Sequence, residues 1–269
     1  MEFLVFTLDG PMSAWGDISP GRQRTSWSRP SRSAVIGLIA AALGIRHGDN
    51  ESLGRLHDGL SLAVETLRRG KSLVDYQIIE MPTEPGLRKY RKEHGSPPPT
   101  RGASLECPET HTLPSHREYR VDASYRAAIC RRPWSKGPAL EEIREALVRP
   151  KFQLYLGRKS CPLALPPKPE CLFADDVTSA FDRYATLMGQ LGDSLSSGVG
   201  RILREDTSDG EIWSDVELAN KFERSAERRD VLLSSDVRRP RRFSVRREVL
   251  LTRDHSASIL SAPAEEGPQ

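Results

Sequence analysis

The order in which strand-like and helix-like segments alternate limits this fold more than any other feature of the chain. An apolar strand reads from Glu2 to Thr7 and ends at the turn pair Asp9-Gly10. A loop holding Trp15 and Trp27 leads to a helix from about Arg32 to Leu43, with Ser31 as N-cap and Gly44 as stop signal. Val35, Ile36, Leu38, Ile39 and Leu43 give that helix a broad apolar face, so it should pack on a sheet. Leu60 to Thr66 and Ser72 to Ile79 read as a hairpin bending at Gly70. Another strand follows in "REYRVDASYRAAICRR", where Tyr119, Val121, Ala123, Tyr125, Ala127 and Ile129 alternate with polar or small residues. The segment "PALEEIREALVRP" is a short helix with Leu140, Ile143 and Leu147 at helical spacing, and Phe152 to Leu156 is the next strand. The result is β-α-β, a hairpin extension, then β-α-β. That order predicts an α+β chain on the ferredoxin-like plan, four antiparallel strands with two helices on one face.

Three stretches depart from this pattern. Residues 82–116 turn polar and rich in Pro, Gly and charge, which reads as an extended, mobile insertion in a first domain spanning 1–165. Beyond it a smaller, β-rich second part is expected over 166–255. It would hold a helix from Asp175 to Leu187, a Gly/Ser loop at 189–200, and strands near Arg201 to Arg204, Asp230 to Leu233 and Phe243 to Thr252. The tail 256–269 reads as disordered.

Size and composition set further bounds. A chain of 269 residues with 37% hydrophobic content can supply a real core. Its longest apolar run, Ala34 to Leu43, is about half of the ~20 residues that a membrane-spanning helix needs. The start "MEFLVFTLDG" has no basic n-region and no small-residue cleavage site, so a cytoplasmic protein is expected, with no membrane partner. The cysteines at 107, 130, 161 and 171 have neither C-x-x-C spacing nor histidines bracketing them in a zinc pattern, and read as structural thiols. No Walker-type loop occurs, and "GQLGDSLSSGVG" lacks the strand-turn-helix context of a nucleotide site; no cofactor is implied.

The net charge of +3 is modest, yet Arg outnumbers Lys about four to one among the 40 basic residues. Arg suits bidentate phosphate contacts, although codon bias in a GC-rich genome gives the same composition. Position carries more information. The loop "GRQRTSWSRPSRS" brings Arg22, Arg24, Arg29 and Arg32 to the start of the first helix, where free N–H groups and the helix dipole favour an anion such as phosphate. Arg158 and Lys159 stand at a strand end in "YLGRKS", and "RRPRRFSVRR" (238–247) supplies six Arg around Phe243. Each cluster alone also fits a solvated face. Trp15, Trp27, Tyr119, Tyr125 and Tyr155 interleave with these cations and could stack on unpaired bases, with at least half of them expected in the core instead.

Six motifs in one order carry a resemblance: "GPMSAWG" (10–16), "RPSRSAVIGLIAAALGI" (29–45), "DY" (75–76), "REYRVDASYRAAI" (117–129), "YLGRKSCPLALPP" (155–167) and "PRRFSVRR" (240–247). Together they resemble the fifth Cas protein family, of the RAMP superfamily, in its subtype I-E form. The likeness runs from residue 2 to about 165 and resumes near 228. It implies a ferredoxin-like domain with an inserted β-hairpin thumb and a small second β domain. The implied function is that of a non-catalytic subunit of the CRISPR Cascade complex, holding the 5′ handle of the CRISPR RNA for antiviral DNA targeting. Its implied partners are CRISPR RNA, a CasC-type backbone subunit, a CasA-type large subunit and, through the assembled complex, target DNA. The resemblance points to Met12, Trp15, Arg24, Arg32, Ser33, Arg117, Tyr119, Tyr155, Arg158, Lys159, Arg241 and Arg246 as RNA-binding residues. Arg and Lys would take phosphates, Ser33 a phosphate or the helix cap, and Trp15 or Tyr119 would stack on a base. Gly157 would give room for close approach, and Pro162 would fix the exit.

Two other functions are compatible with the residues. A metal-independent endoribonuclease acting on repeat RNA needs an acid and a base near the 2′-hydroxyl, and His111 and His116 lie close to Arg117 and Tyr119. A free-standing RNA-binding module is the second, against which the arm-like insertion speaks.

Overall fold

The computed structural model describes residues 1–16, 22–194, 211–219, 224–234 and 242–251. Strand β1 (Glu2–Asp9) is followed by four two-residue strands, β2 (Met12–Ser13), β3 (Trp15–Gly16), β4 (Gln23–Arg24) and β5 (Ser26–Trp27). Helices α1 (Arg32–Leu43) and α2 (Asn50–Gly59) come next, then β6 (Leu60–Arg68) and β7 (Lys71–Pro82). Helices α3 (Glu84–His94) and α4 (Arg101–Leu105) precede β8 (Thr110–Val121), β9 (Ser124–Arg131) and α5 (Leu140–Val148). The chain continues through β10 (Glu170–Phe173), α6 (Val177–Ser194), β11 (Ile212–Asp215), β12 (Arg224–Ser234) and β13 (Arg242–Leu251).

The main sheet has the order β10-β1-β9-β6-β11-β13-β12 and is antiparallel at each pairing. Its first four strands, with α1 and α5, realise the expected β-α-β and β-α-β order. The strand β1 explains why: Leu4, Phe6 and Leu8 join α1 and α5 in one buried cluster, whereas Phe3 and Val5 join Phe181 and Tyr184 of α6 in another. A strand covered on both faces needs a continuous apolar run rather than alternation, and "FLVF" supplies it. Fully burying such a side chain stabilises by roughly 1.5–3 kcal/mol.

A second sheet leaves the first at Gly70. Its φ is +61°, and a Cβ there would lie 2.3 Å from the Val121 carbonyl oxygen, so only glycine fits the pivot. β7 then pairs with β8 over twelve residues in unbroken register, a ribbon about 40 Å long. The chain re-enters the main sheet through Asp122, at φ +58°. Arg68 bridges Asp122 and Asp9 at this junction.

Several expectations are corrected. Leu60–Thr66 and Ser72–Ile79 are strands but not a hairpin, because β6 pairs with β9 and β11 while β7 pairs with β8. The single strand expected through Tyr119 to Ile129 is two, split at Asp122 between the two sheets. Residues 82–116 are not an extended, mobile insertion. They hold two helices, N-capped by Thr83 and Thr100, with Gly95 ending the first in the left-handed conformation. Phe152 to Leu156 is not a strand, because the place beside β1 belongs to β10; a single bridge, Tyr155 to Pro162, closes a turn there instead. The C-terminal strands do not form a sheet of their own but extend the first one. Helix α2 was not expected, and α6 runs on to Ser194 where a Gly/Ser loop was read. The rest of that loop, the strand at 201–204 and the tail 256–269 lie outside the described residues.

Candidate nucleic-acid interface

The start of α1 was expected to receive a phosphate, but the protein fills that place itself. Ser31 Oγ accepts from the Ala34 N–H, and the Arg32 N–H donates to Asp230 Oδ2 at 2.8 Å. Arg32 is not at the surface: its guanidinium bonds Asp215 and the carbonyls of His57 and Leu60. Arg246 likewise turns inward, to Asp230 Oδ1 at 2.8 Å, Asp215 Oδ1 at 2.9 Å and Glu248 Oε2 at 3.0 Å. Arg29 pairs with Glu248 and lies 4.0 Å over the Trp213 ring, and Arg228 lies 4.5 Å over Trp27 while donating to the Pro30 and Arg29 carbonyls. These arginines therefore lock β11, β12 and β13 onto the segment leading into α1. Desolvation by burial lowers the Arg228 pKa to about 10. Burial and the neighbouring Arg32 hold His57 neutral, with its pKa lowered to about 4.

A groove of about 1290 Å³ opens along the outer side of α1. On the α1 side it is lined by small residues of one helix face, Ser33, Ala34, Gly37 and Ala41. The turn that replaced the expected strand lines it with Phe152, Leu154, Tyr155, Arg158 and Lys159, beside Ala14, Arg24 and Thr25, which that turn meets directly: the Ala14 N–H donates to the Leu156 carbonyl at 3.0 Å. Arg46 and His47 stand at the C-terminal end of α1, and Arg229 enters from β12. Among the lining residues the one carboxylate is Asp230, already held by Arg246 and the Arg32 N–H. A groove lined by cations together with small and apolar side chains suits a phosphate backbone with its bases turned inward.

Five predicted residues meet here: Arg24, Ser33, Tyr155, Arg158 and Lys159. Arg158 also braces the site, donating to the carbonyls of Glu118 and Arg24 and lying 4.5 Å over the Tyr119 ring. Tyr119 itself is buried, as is Trp15, whose ring meets Tyr125 edge-on at 5.6 Å; neither presents a face for stacking on a base. Met12 is half-buried beside Val121, and Arg117 sits on β8 between Arg24 and Asp75. Arg241 lies outside the described residues. Gly157, at φ +88°, makes room for the protein's own chain: a Cβ would stand 1.8 Å from the Ala14 carbonyl oxygen.

Arg46, His47 and Arg229 escaped the sequence reading. A signal existed for each. "GIRHG" places an arginine and a histidine just past a helix stop, and in "RRD" the period of two that buries Arg228 and Asp230 turns Arg229 out. Among the described residues no group of three His, Cys, Asp or Glu side chains could hold a metal ion, and no helix is long and apolar enough to cross a membrane.

Residues 3–249 match the model of the CRISPR-associated protein (Cas_Cas5) family. The chain is 31% identical over 190 residues to the CRISPR system Cascade subunit CasD of Escherichia coli (strain K12), an overlap of 71% of this chain and 80% of that one. Its fold is similar to a chain of a CRISPR RNA-guided surveillance complex, with a TM-score of 0.58 and 27% identity, covering 93% of this chain and 89% of that one. A crystal structure described as a Cas protein shares the fold with a TM-score of 0.53 at 24% identity, covering 93% and 95%.

Proposed function

The chain belongs to the Cas5 family of CRISPR-associated proteins, and from that premise we propose that it is the Cascade subunit that holds the 5′ handle of the CRISPR RNA. The observation that carries this reading is the cationic groove over α1, whose lining brings together Arg24, Arg158 and Lys159. In this reading β10, β1, β9 and β6 with α1 and α5 form the RAMP-type ferredoxin-like domain, and the β7–β8 ribbon is its thumb. The thumb would grip a CasC-type backbone subunit. Val74, Tyr76 and Ile78 alternate along one face of β7 and are 58%, 59% and 64% exposed, an apolar row that a partner would cover. A CasA-type large subunit and target DNA would join through the assembled complex, in the cytoplasm.

The subunit acts in this reading as a scaffold and not as a nuclease. His111 and His116 lie five residues apart on a regular strand, so they face opposite sides of the ribbon and cannot serve as acid and base on one phosphodiester. His116 does stand 5.1 Å from the Tyr76 ring, which is the observation favouring the endoribonuclease alternative. Cleavage of a repeat hairpin by the purified chain, abolished in His116→Ala, would establish that alternative.

The test of the main reading is co-expression of the tagged chain with partner subunits and a CRISPR RNA. Arg24→Glu/Lys159→Glu should yield a folded subunit that no longer recovers RNA, and the single change Lys159→Ala should lower the salt slope of binding by about 0.7. Full RNA recovery by the double variant would rule the groove out.

A further inference from the structure

Gly37 stands in the interior of α1, and the fold gives no reason for a glycine there. Its backbone is not in the left-handed region, and a Cβ built on it would meet no heavy atom within 4 Å. Contrast Gly157 and Gly70, where the neighbouring backbone forbids any side chain. Glycine is the poorest helix former after proline, so an open, exposed position of this kind would be better filled by alanine for stability alone. What sets Gly37 apart is its place: it lines the groove on the α1 side, and the apolar Leu154 and Phe152 and the cationic Arg158 and Lys159 share that lining.

We propose that Gly37 is the clearance that lets one unstacked base of single-stranded RNA lie against α1, which makes it a specificity-determining residue of the groove. The proposal rests on the reading of this groove as the RNA site, and charge complementarity decides the occupant. A lining that joins small and apolar side chains with cations matches a base together with its phosphate. An acidic peptide would satisfy the cations but would leave the apolar lining uncovered. A duplex would keep its bases stacked away from that lining. The groove volume of about 1290 Å³ exceeds that of an ordinary small-ligand pocket, about 300–1,000 Å³, and so admits more than one nucleotide.

The experiment uses the full chain and a labelled single-stranded RNA carrying the repeat-derived 5′ segment, with a matching set in which one position at a time is abasic. Gly37→Ala should melt higher than the wild type while binding RNA more weakly. Gly37→Leu should stay folded and lose affinity roughly tenfold or more. The abasic set separates a base contact from a backbone one. One abasic position should weaken the wild type and leave Gly37→Leu unchanged, the coupling expected of two groups in contact. Gly189→Leu, in α6 on the other face of the sheet, adds the same side chain where it also meets nothing within 4 Å, and should bind like the wild type. Unchanged affinity in Gly37→Leu, with Arg24→Glu/Lys159→Glu still losing the RNA, overturns the clearance role and leaves the groove reading standing. If neither variant weakens binding, or the wild-type chain leaves the RNA free, both fall together.

Discussion

At the scale of single residues, the burial of His57 makes stability depend on pH. The folded chain holds this side chain near a pKa of about 4, against 6.5 when unfolded, with burial as the larger cause and Arg32 as the next. Between those values the unfolded chain binds the proton and the folded chain does not. Stability therefore rises with pH across that window and is complete above it; the loss on acidification to pH 4 reaches about 3 kcal/mol. His57→Phe should flatten this part of a urea-unfolding profile, and an unchanged slope would assign the acid sensitivity to other groups. Gly157 gives a second prediction. A methyl group there would collide with the Ala14 carbonyl oxygen on a backbone at φ +88°, so Gly157→Ala should destabilise by roughly 2–3 kcal/mol and displace Arg158 and Lys159. An unchanged denaturation midpoint would mean that the turn can shift without cost.

At the scale of elements, helix α1 was legible almost to the residue, since cap, apolar positions and stop lie within one continuous stretch. Helix α5, which no side chain caps, was legible from Leu140, Ile143 and Leu147 at helical spacing and Pro150 beyond its end. The thumb was not. β7 and β8 are separated in sequence by α3, α4 and a Pro-rich bend, and the alternation of each strand is too polar to announce its partner. Its exposed apolar row supports a prediction about assembly. Tyr76→Asp/Ile78→Asp should leave stability within about 0.5 kcal/mol, because both side chains are already in solvent. The same variant should fail to co-purify with a CasC-type subunit on size-exclusion chromatography. Normal co-purification would remove the ribbon face from the interface.

At the scale of the whole molecule, buried charge joins distant parts of the chain. Asp230 accepts from the Arg32 N–H and from Arg246, and lies 3.5 Å from Arg228. Removing one partner of a buried network leaves the others desolvated and uncompensated, at a cost of about 3–5 kcal/mol. Asp230→Ala should therefore lower stability by that order in chemical denaturation. Because α1 lines the groove, the same variant should weaken RNA binding even though Asp230 repels phosphate. Stronger RNA binding in a stable Asp230→Ala chain would show that the network restrains nothing. The groove, too, belongs to this scale, for Arg24, Gly37, Arg158 and Arg229 reach it from four separate stretches of sequence.

The sequence by itself determined helices α1 and α5, strands β1 and β6, the family resemblance and the cations of the "YLGRKS" turn, because each rests on neighbours along the chain. Only the tertiary structure decided which arginines face water. Arg24 and Arg32 stand eight positions apart in one basic loop, yet Arg24 is exposed and lines the groove while Arg32 is buried against Asp215. The burial of Arg29, Arg32 and Arg246 follows from the carboxylates that arrive beside them. Asp215, Asp230 and Glu248 arrive from strands about two hundred residues away, by pairings that no local pattern encodes.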